Sequence, residues 1–218
     1  MSWRLLKKPY EVVPNVYDIT TRREWGRRYR CYLVDGDAPT LVDTCHDEDG
    51  PKATLFEGLD ELGVEPERLF VTHGDGDHVG GFDAVVDRYG VETWMPAETE
   101  AETAREPDHR YGDGDRFGGF EAVHVPGHEA DSYALVNEDD GFAVLGDTVV
   151  GADVRGLPAG YFSVHGETYT DDPRAAERNL SKLTAYDFEA GLVFHGSSVL
   201  EAASGKIEAY VDGPKRDR

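Results

Sequence analysis

Cysteine, lysine and long apolar runs are all in short supply in this 218-residue chain. The two cysteines, Cys31 and Cys45, rule out a disulfide framework and form no CxxC pair. They read as two reduced, partly buried thiols of a cytoplasmic protein, with a Cys31–Cys45 bridge as the disfavoured alternative. No stretch reaches the roughly 18 consecutive apolar residues of a membrane span. The opening MSWRLLKKPYEVV has neither an apolar leader core nor a small-residue cleavage site, so no signal peptide is expected. Only six of the 22 basic residues are lysine, the other sixteen being arginine, and 44 acidic residues bring the net charge to −22. So acidic a surface excludes a nucleic-acid backbone as substrate, because phosphates require a basic footprint. The acids are scattered rather than gathered in a tail. That pattern, with the scarcity of lysine, resembles proteins of salt-in halophiles, the alternative being an ordinary acidic cytosolic protein.

What the chain does have is enough apolar material to fold. Hydrophobic residues make up 39% and aromatics 11%, consistent with a single domain over 1–218, expected as a monomer or homodimer. Strands are expected at 11–20, 30–35, 39–44, 68–72, 91–95, 120–125, 132–137, 142–146 and 191–195. Helices are expected at 51–62, 80–90, 96–106, 173–183 and, weakly, 200–210. Pro51 and Pro173 suit first helical positions, and Gly63 and Gly90 suit helix stops. Two successive strand-then-helix halves fit a layered α/β architecture.

The chemistry concentrates where strands end. Val71-Thr72-His73-Gly74-Asp75-Gly76-Asp77-His78-Val79-Gly80-Gly81 follows one strand and precedes a helix. It places four metal-ligand side chains within six residues, separated by glycines that let the backbone turn tightly. Three single placements repeat the theme: His128 after Pro126-Gly127, Asp147 after Gly146, and His195 before Gly196. Strand ends are where α/β proteins build sites. One such residue alone is more often structural, and an Asp/Gly-rich turn is more often merely solvated. The recurrence favours a metal site.

The ordered set His73-x-Asp75-x-Asp77-His78, Pro-Gly-His128, Gly-Asp147 and His195-Gly, with Leu41-Val42-Asp43-Thr44 ahead of it, resembles the metallo-β-lactamase superfamily over 12–199. The resemblance implies a four-layer αββα sandwich and two divalent metal ions, zinc first and iron or manganese as alternatives. It assigns His73, Asp75 and His128 to one ion, Asp77, His78 and His195 to the other, and Asp147 as a bridge. Asp43 would support the metal loop from behind. The implied reaction is attack by a metal-bridging hydroxide, oriented by Asp77, on an ester, thioester, lactone or amide. Glyoxalase II-like and lactonase-like chemistries both stay open. Tyr161, Phe162, His165 and Tyr169 fall in the stretch that frames the substrate pocket in this family. No side chain is an obvious general acid; a tyrosine of that stretch or a metal-bound water could serve.

Two positions depart from the family pattern. Cys45 replaces a glycine, where packing is the expected role. Asp75 stands where most hydrolases of the family have histidine. Three aspartates and a hydroxide balance the charge of two divalent ions, which makes a bound water less acidic and favours oxygen-preferring metals. An acidic residue here also occurs in the flavodiiron oxidoreductases, so an iron-dependent oxidoreductase is the alternative, followed by a non-catalytic metal-binding relative. The charge pattern carries a direct expectation. The melting temperature should rise steeply between low salt and about 1 M, where the Debye length falls to roughly 3 Å and self-repulsion is screened. A flat response in salt-dependent thermal unfolding would remove the halophile reading.

Overall fold

The computed structural model describes residues 8–24 and 27–213. Most of the N-terminal segment read as lacking a leader lies outside that range. The chain forms two compact units, the first ending at Gly112 and the second starting at Asp113.

The first unit is a seven-stranded sheet whose strands lie in chain order. They are β1 (Tyr10–Val13), β2 (Val16–Glu24), β3 (Arg27–Val34), β4 (Thr40–Val42), β5 (Arg68–Phe70), β6 (Glu92–Pro96) and β7 (His109–Tyr111). The first four pair antiparallel. From β4 onward the pairing is parallel, which requires longer crossovers. Helix α1 (Asp49–Leu62) supplies one, and α2 (Gly76–Val79) with α3 (Phe82–Tyr89) supplies the next. Leu33, Leu41, Leu55, Leu59, Leu69, Phe82 and Val85 form its core. Cys31 and Cys45 are buried in the same core as free thiols. Burial pushes both thiols up, Cys45 to about 12, so they stay protonated and unreactive.

Two expectations for this unit need correction. The segment 11–20 is two strands, because Asn15 turns the chain at a φ of 62° directly after Pro14. The segment 96–106 is not helical. It has no apolar stripe to bury, and packing of such a stripe is what stabilises a helix this short. Its backbone is held by side chains instead: the Asp83 carboxylate accepts from the amides of Ala104 and Arg105. The Arg110 guanidinium donates to the carbonyls of Pro96 and Thr99.

The second unit holds a five-stranded sheet in the order β14-β11-β10-β9-β8. These strands are β8 (Arg116–Phe117), β9 (Phe120–His124), β10 (Tyr133–Asn137), β11 (Phe142–Gly146) and β14 (Ala190–Val193). A small ladder joins β12 (Val150–Gly151) to β13 (Phe162–Ser163). Only β11 and β14 pair in parallel in this unit's described sheets, so their C-terminal ends lie side by side. Helix α4 (Pro173–Asn179) starts where Pro173 at its first turn and the Asp172 carboxylate, accepting from the Ala175 amide, predict. It then tightens into a 3₁₀ segment, Leu180–Ala185, which corrects the single helix expected to run to 183. Helix α5 (Ala203–Asp212) closes the unit. Among the described residues, no helix is long and apolar enough to cross a membrane.

One interaction in the first unit is unusually exacting. Asp18 and Arg30 face each other across the β2–β3 hairpin, 3.2 Å apart and each only 1% exposed. Asp18 also accepts from Tyr10 and Thr20 hydroxyls, both at 2.9 Å. Removing one partner leaves a buried charge uncompensated. Asp18→Ala should therefore lower stability by about 3–5 kcal/mol, read from the denaturant midpoint. The double variant Asp18→Leu/Arg30→Met should recover most of that loss; equal losses for the single and double variants would contradict the assignment.

Candidate metal centre

In the first unit the loop after β5 is organised around Asp43, just past β4. Asp43 adopts a φ of 59°, which turns its carboxylate back onto the loop. That carboxylate accepts from the Thr72 amide at 2.8 Å and the Thr72 hydroxyl at 2.8 Å, and lies 2.8 Å from Nδ1 of His78. An imidazole whose Nδ1–H donates to a carboxylate keeps the lone pair of its Nε2 for a metal. His73 and His78 are both buried, with ring centroids 4.0 Å apart. Nε2 of His73 lies 3.5 Å from a carboxylate oxygen of the half-exposed Asp75. The Asp75 carbonyl accepts from the amides of His78 and Val79 and so starts the one-turn helix α2.

The Thr44 amide and hydroxyl both donate to the His78 carbonyl, and the same hydroxyl accepts from the Gly81 amide. Gly80 must be glycine for this seat: a Cβ there would lie 2.3 Å from the Asp47 nitrogen and 2.8 Å from the Cys45 carbonyl. Asp77 is half-buried. Its charge is felt by Tyr29, whose hydroxyl is pushed up first by burial and then by Asp77. His46 packs edge-on against the Tyr29 ring at 4.9 Å. Burial drives its imidazole toward the neutral form against the pull of Asp77.

In the second unit everything converges on Asp147, directly after β11 and 3% exposed. Its Oδ2 lies 3.6 Å from Nε2 of His128, 3.2 Å from Nε2 of His165 and 3.3 Å from Nε2 of His195. Burial alone would raise the Asp147 carboxyl, but His195 and His165 outweigh it and hold it well below the usual carboxylate range. His165 itself is kept toward the neutral form by burial, Asp147 opposing.

Backbone contacts hold these side chains in place. The amides of Asp172 and Asp171 donate to the carbonyls of Gly127 and His128, and the Asn179 side chain donates to the Pro126 carbonyl. Gly127 has a φ of 149°, and a Cβ on it would sit 2.2 Å from the Ala176 nitrogen, so only glycine lets α4 seat here. His195 follows β14, where the Phe194 amide donates to Gly146 and the His195 carbonyl accepts from Gly151. The Asp153 carboxylate fixes the next turn through the amide and hydroxyl of Ser197, both at 2.8 Å.

Of the residues expected to frame a substrate pocket, only His165 joins the carboxylate cluster. Phe162 is buried among the core residues of the second unit. Tyr161 and Tyr169 are more than half exposed. His165 also lines a cavity of about 330 Å³ with Arg155, Ser163, Glu177 and Tyr210. Away from these clusters, His124 stacks on Tyr133 and bonds the Ala130 carbonyl. His109 lies in β7, stacked on Trp94 and bonded to Glu92.

A family model described as metallo-beta-lactamase superfamily matches residues 26–190. The chain belongs to that superfamily. Solved superfamily structures share its fold. A metallo-beta-lactamase from Pontibacter korlensis aligns at a TM-score of 0.72 and 18% identity over 93% of this chain and 96% of that one. TTHA1623 in a di-iron-bound form aligns at 0.63 and 22% identity over 84% and 92%. The αββα class expected from the sequence rests on these likenesses. Among curated relatives, the lactamase-like protein vrtG of Penicillium aethiopicum is 27% identical over 83% of the chain and 55% of its own length. The hydroxyacylglutathione hydrolase of Serratia proteamaculans (strain 568) is 32% identical over 47% of the chain and 41% of its own length. The chain thus spans about half the length of the curated relatives it matches.

The His/Asp clusters of this superfamily member can bind metal ions, and Asp43 is the carboxylate that orients one of the imidazoles. Asp43→Asn keeps a side chain that tolerates positive φ but removes the charge behind His78. Zinc affinity measured by chelator competition should fall about ten- to a hundredfold with the fold retained; unchanged affinity would show that the pair does not tune a metal ligand.

Proposed function

We propose that the protein is a metal-dependent hydrolase acting on an ester, thioester, lactone or amide bond of a small molecule. The observation that carries this reading is the buried Asp147 carboxylate with three imidazole Nε2 atoms 3.2–3.6 Å from one oxygen. That set of N and O donors suits a divalent ion such as zinc, with iron or manganese as alternatives. The reading includes the ligand roles that the resemblance gives His73, Asp75, Asp77, His78, His128, Asp147 and His195. Two relatives bear on the chemistry, the Serratia hydrolase and an atrochrysone carboxyl ACP thioesterase of Passalora fulva, 23% identical over 73% of the chain and 45% of its own length.

When bound, such metals polarise a carbonyl and lower the pKa of water toward about 7. The chain's own residues do the rest. Asp77 accepts a hydrogen bond from the attacking water and orients it. Asp43 keeps the His78 ring fixed. The exposed phenols of Tyr161 and Tyr169 are the candidates to deliver a proton to the leaving group. A cytoplasmic, salt-adapted setting without nucleic-acid partners fits the −22 charge.

Iron-dependent oxidoreduction is the second reading. It is favoured by Asp75, a carboxylate beside His73, and by the likeness to a di-iron-bound protein.

Chelator-stripped protein should lose hydrolysis of a thioester, ester and lactone panel and regain it with zinc, manganese or ferrous iron. Asp77→Asn should lower kcat/KM by about 10²–10⁴. Hydrolysis that survives stripping, or that tolerates Asp77→Asn, would contradict the proposal.

A further inference from the structure

We propose that His165 is itself a metal ligand, held with His128 and Asp147 around one ion within the second unit. This rests on the metal reading above and adds to it a donor that no family motif marks. His165 lies in the irregular stretch after β13, where an exposed polar side chain would be expected. Instead it is buried, and its Nε2 is the nearest of three imidazole nitrogens to Asp147 Oδ2, at 3.2 Å. The ligand atoms of His128, Asp147 and His165 all lie within 4.8 Å of one another. Donors bonded to one ion at about 2.0–2.2 Å with tetrahedral angles lie about 3.3–3.6 Å apart, and the Nε2 atoms of His165 and His128 already stand 3.2 Å and 3.6 Å from Asp147 Oδ2.

The placement of His165 is built by the backbone around it. The Val164 carbonyl accepts from Arg155 at 3.3 Å. The Gly166 carbonyl accepts from the Tyr169 amide at 2.8 Å and the Thr170 hydroxyl at 3.1 Å. The Asp171 amide then ties the end of this turn to the His128 carbonyl at 3.0 Å. The same short segment therefore fixes both imidazoles. Their rings lie 4.4 Å apart and tilted by 30°, with His195 edge-on to His165 at 5.6 Å and 76°.

The simpler role for His165 is a hydrogen bond to Asp147 with no metal contact. Cobalt(II) substitution separates the two, because the visible d–d bands report the donor atoms directly bound. Stripped wild-type and His165→Ala proteins are titrated with zinc against a chelator, then with cobalt. His109→Ala, at an exposed imidazole in β7, is the control. Ligation predicts a loss of zinc affinity of at least about tenfold and a changed cobalt spectrum for His165→Ala, with the control like wild type. An unchanged cobalt spectrum overturns the proposal, whatever happens to affinity. Should His165→Ala not fold, unmodified protein labelled with ¹⁵N-histidine and loaded with ¹¹³Cd gives the answer. A ¹¹³Cd coupling at Nε2 of His165 supports ligation and its absence overturns it. Failure of wild-type protein to bind any of these metals overturns the metallohydrolase reading as well; binding that ignores His165 overturns this proposal alone.

Discussion

The constraint on which the second unit depends is a negative charge sealed from water. Asp147 is almost fully buried, and an isolated carboxylate in such a place is strongly unfavourable unless cations or donors surround it. The chain answers with three imidazoles, each set by backbone contacts around it. His128 is held by the close seating of α4 on Gly127. His195 is carried to Asp147 by the parallel pairing of β14 with β11. His165 is held by the turn at 166–171. Each imidazole brings its Nε2 within 3.2–3.6 Å of Asp147 Oδ2, so the nitrogens that face the carboxylate are the ones that bind a divalent ion once they carry no proton.

The first unit solves a related problem with the carboxylate in the opposite role. Asp43 takes two hydrogen bonds from Thr72 and stands behind His78, so its charge is spent on aiming an imidazole. Thr44 grips the same histidine from its backbone side. Metal loops are short and glycine-rich and have little core of their own, so their order must come from such contacts. That explains why a buried Thr-Asp-His triad lies beneath a loop with a half-exposed Asp75 and a half-buried Asp77.

The sequence made the strand-end residues legible, because His128, Asp147 and His195 each adjoin a glycine at the end of an apolar run, a local pattern one can read. The long strands and α1 were legible for the same reason, with Gly63 ending α1 in the left-handed conformation. His165 and Asp153 were not legible in these roles. Both lie in irregular chain, where side-chain direction follows from tertiary contacts and leaves no periodic trace. Strands β7, β8, β12 and β13 are two or three residues long, too short for alternation to register. The polar stretch at 96–106 was misread because helix-forming composition without a face to bury does not make a helix.

The most direct test of the account is anomalous diffraction from crystals of metal-replete protein, collected at the absorption edge of the bound metal. The account predicts a strong anomalous peak about 2.0–2.2 Å from the Asp147 carboxylate and from an Nε2 of its surrounding imidazoles. Crystals grown with excess zinc that show no peak within bonding distance of Asp147, with the imidazoles contacting the carboxylate alone, would contradict it.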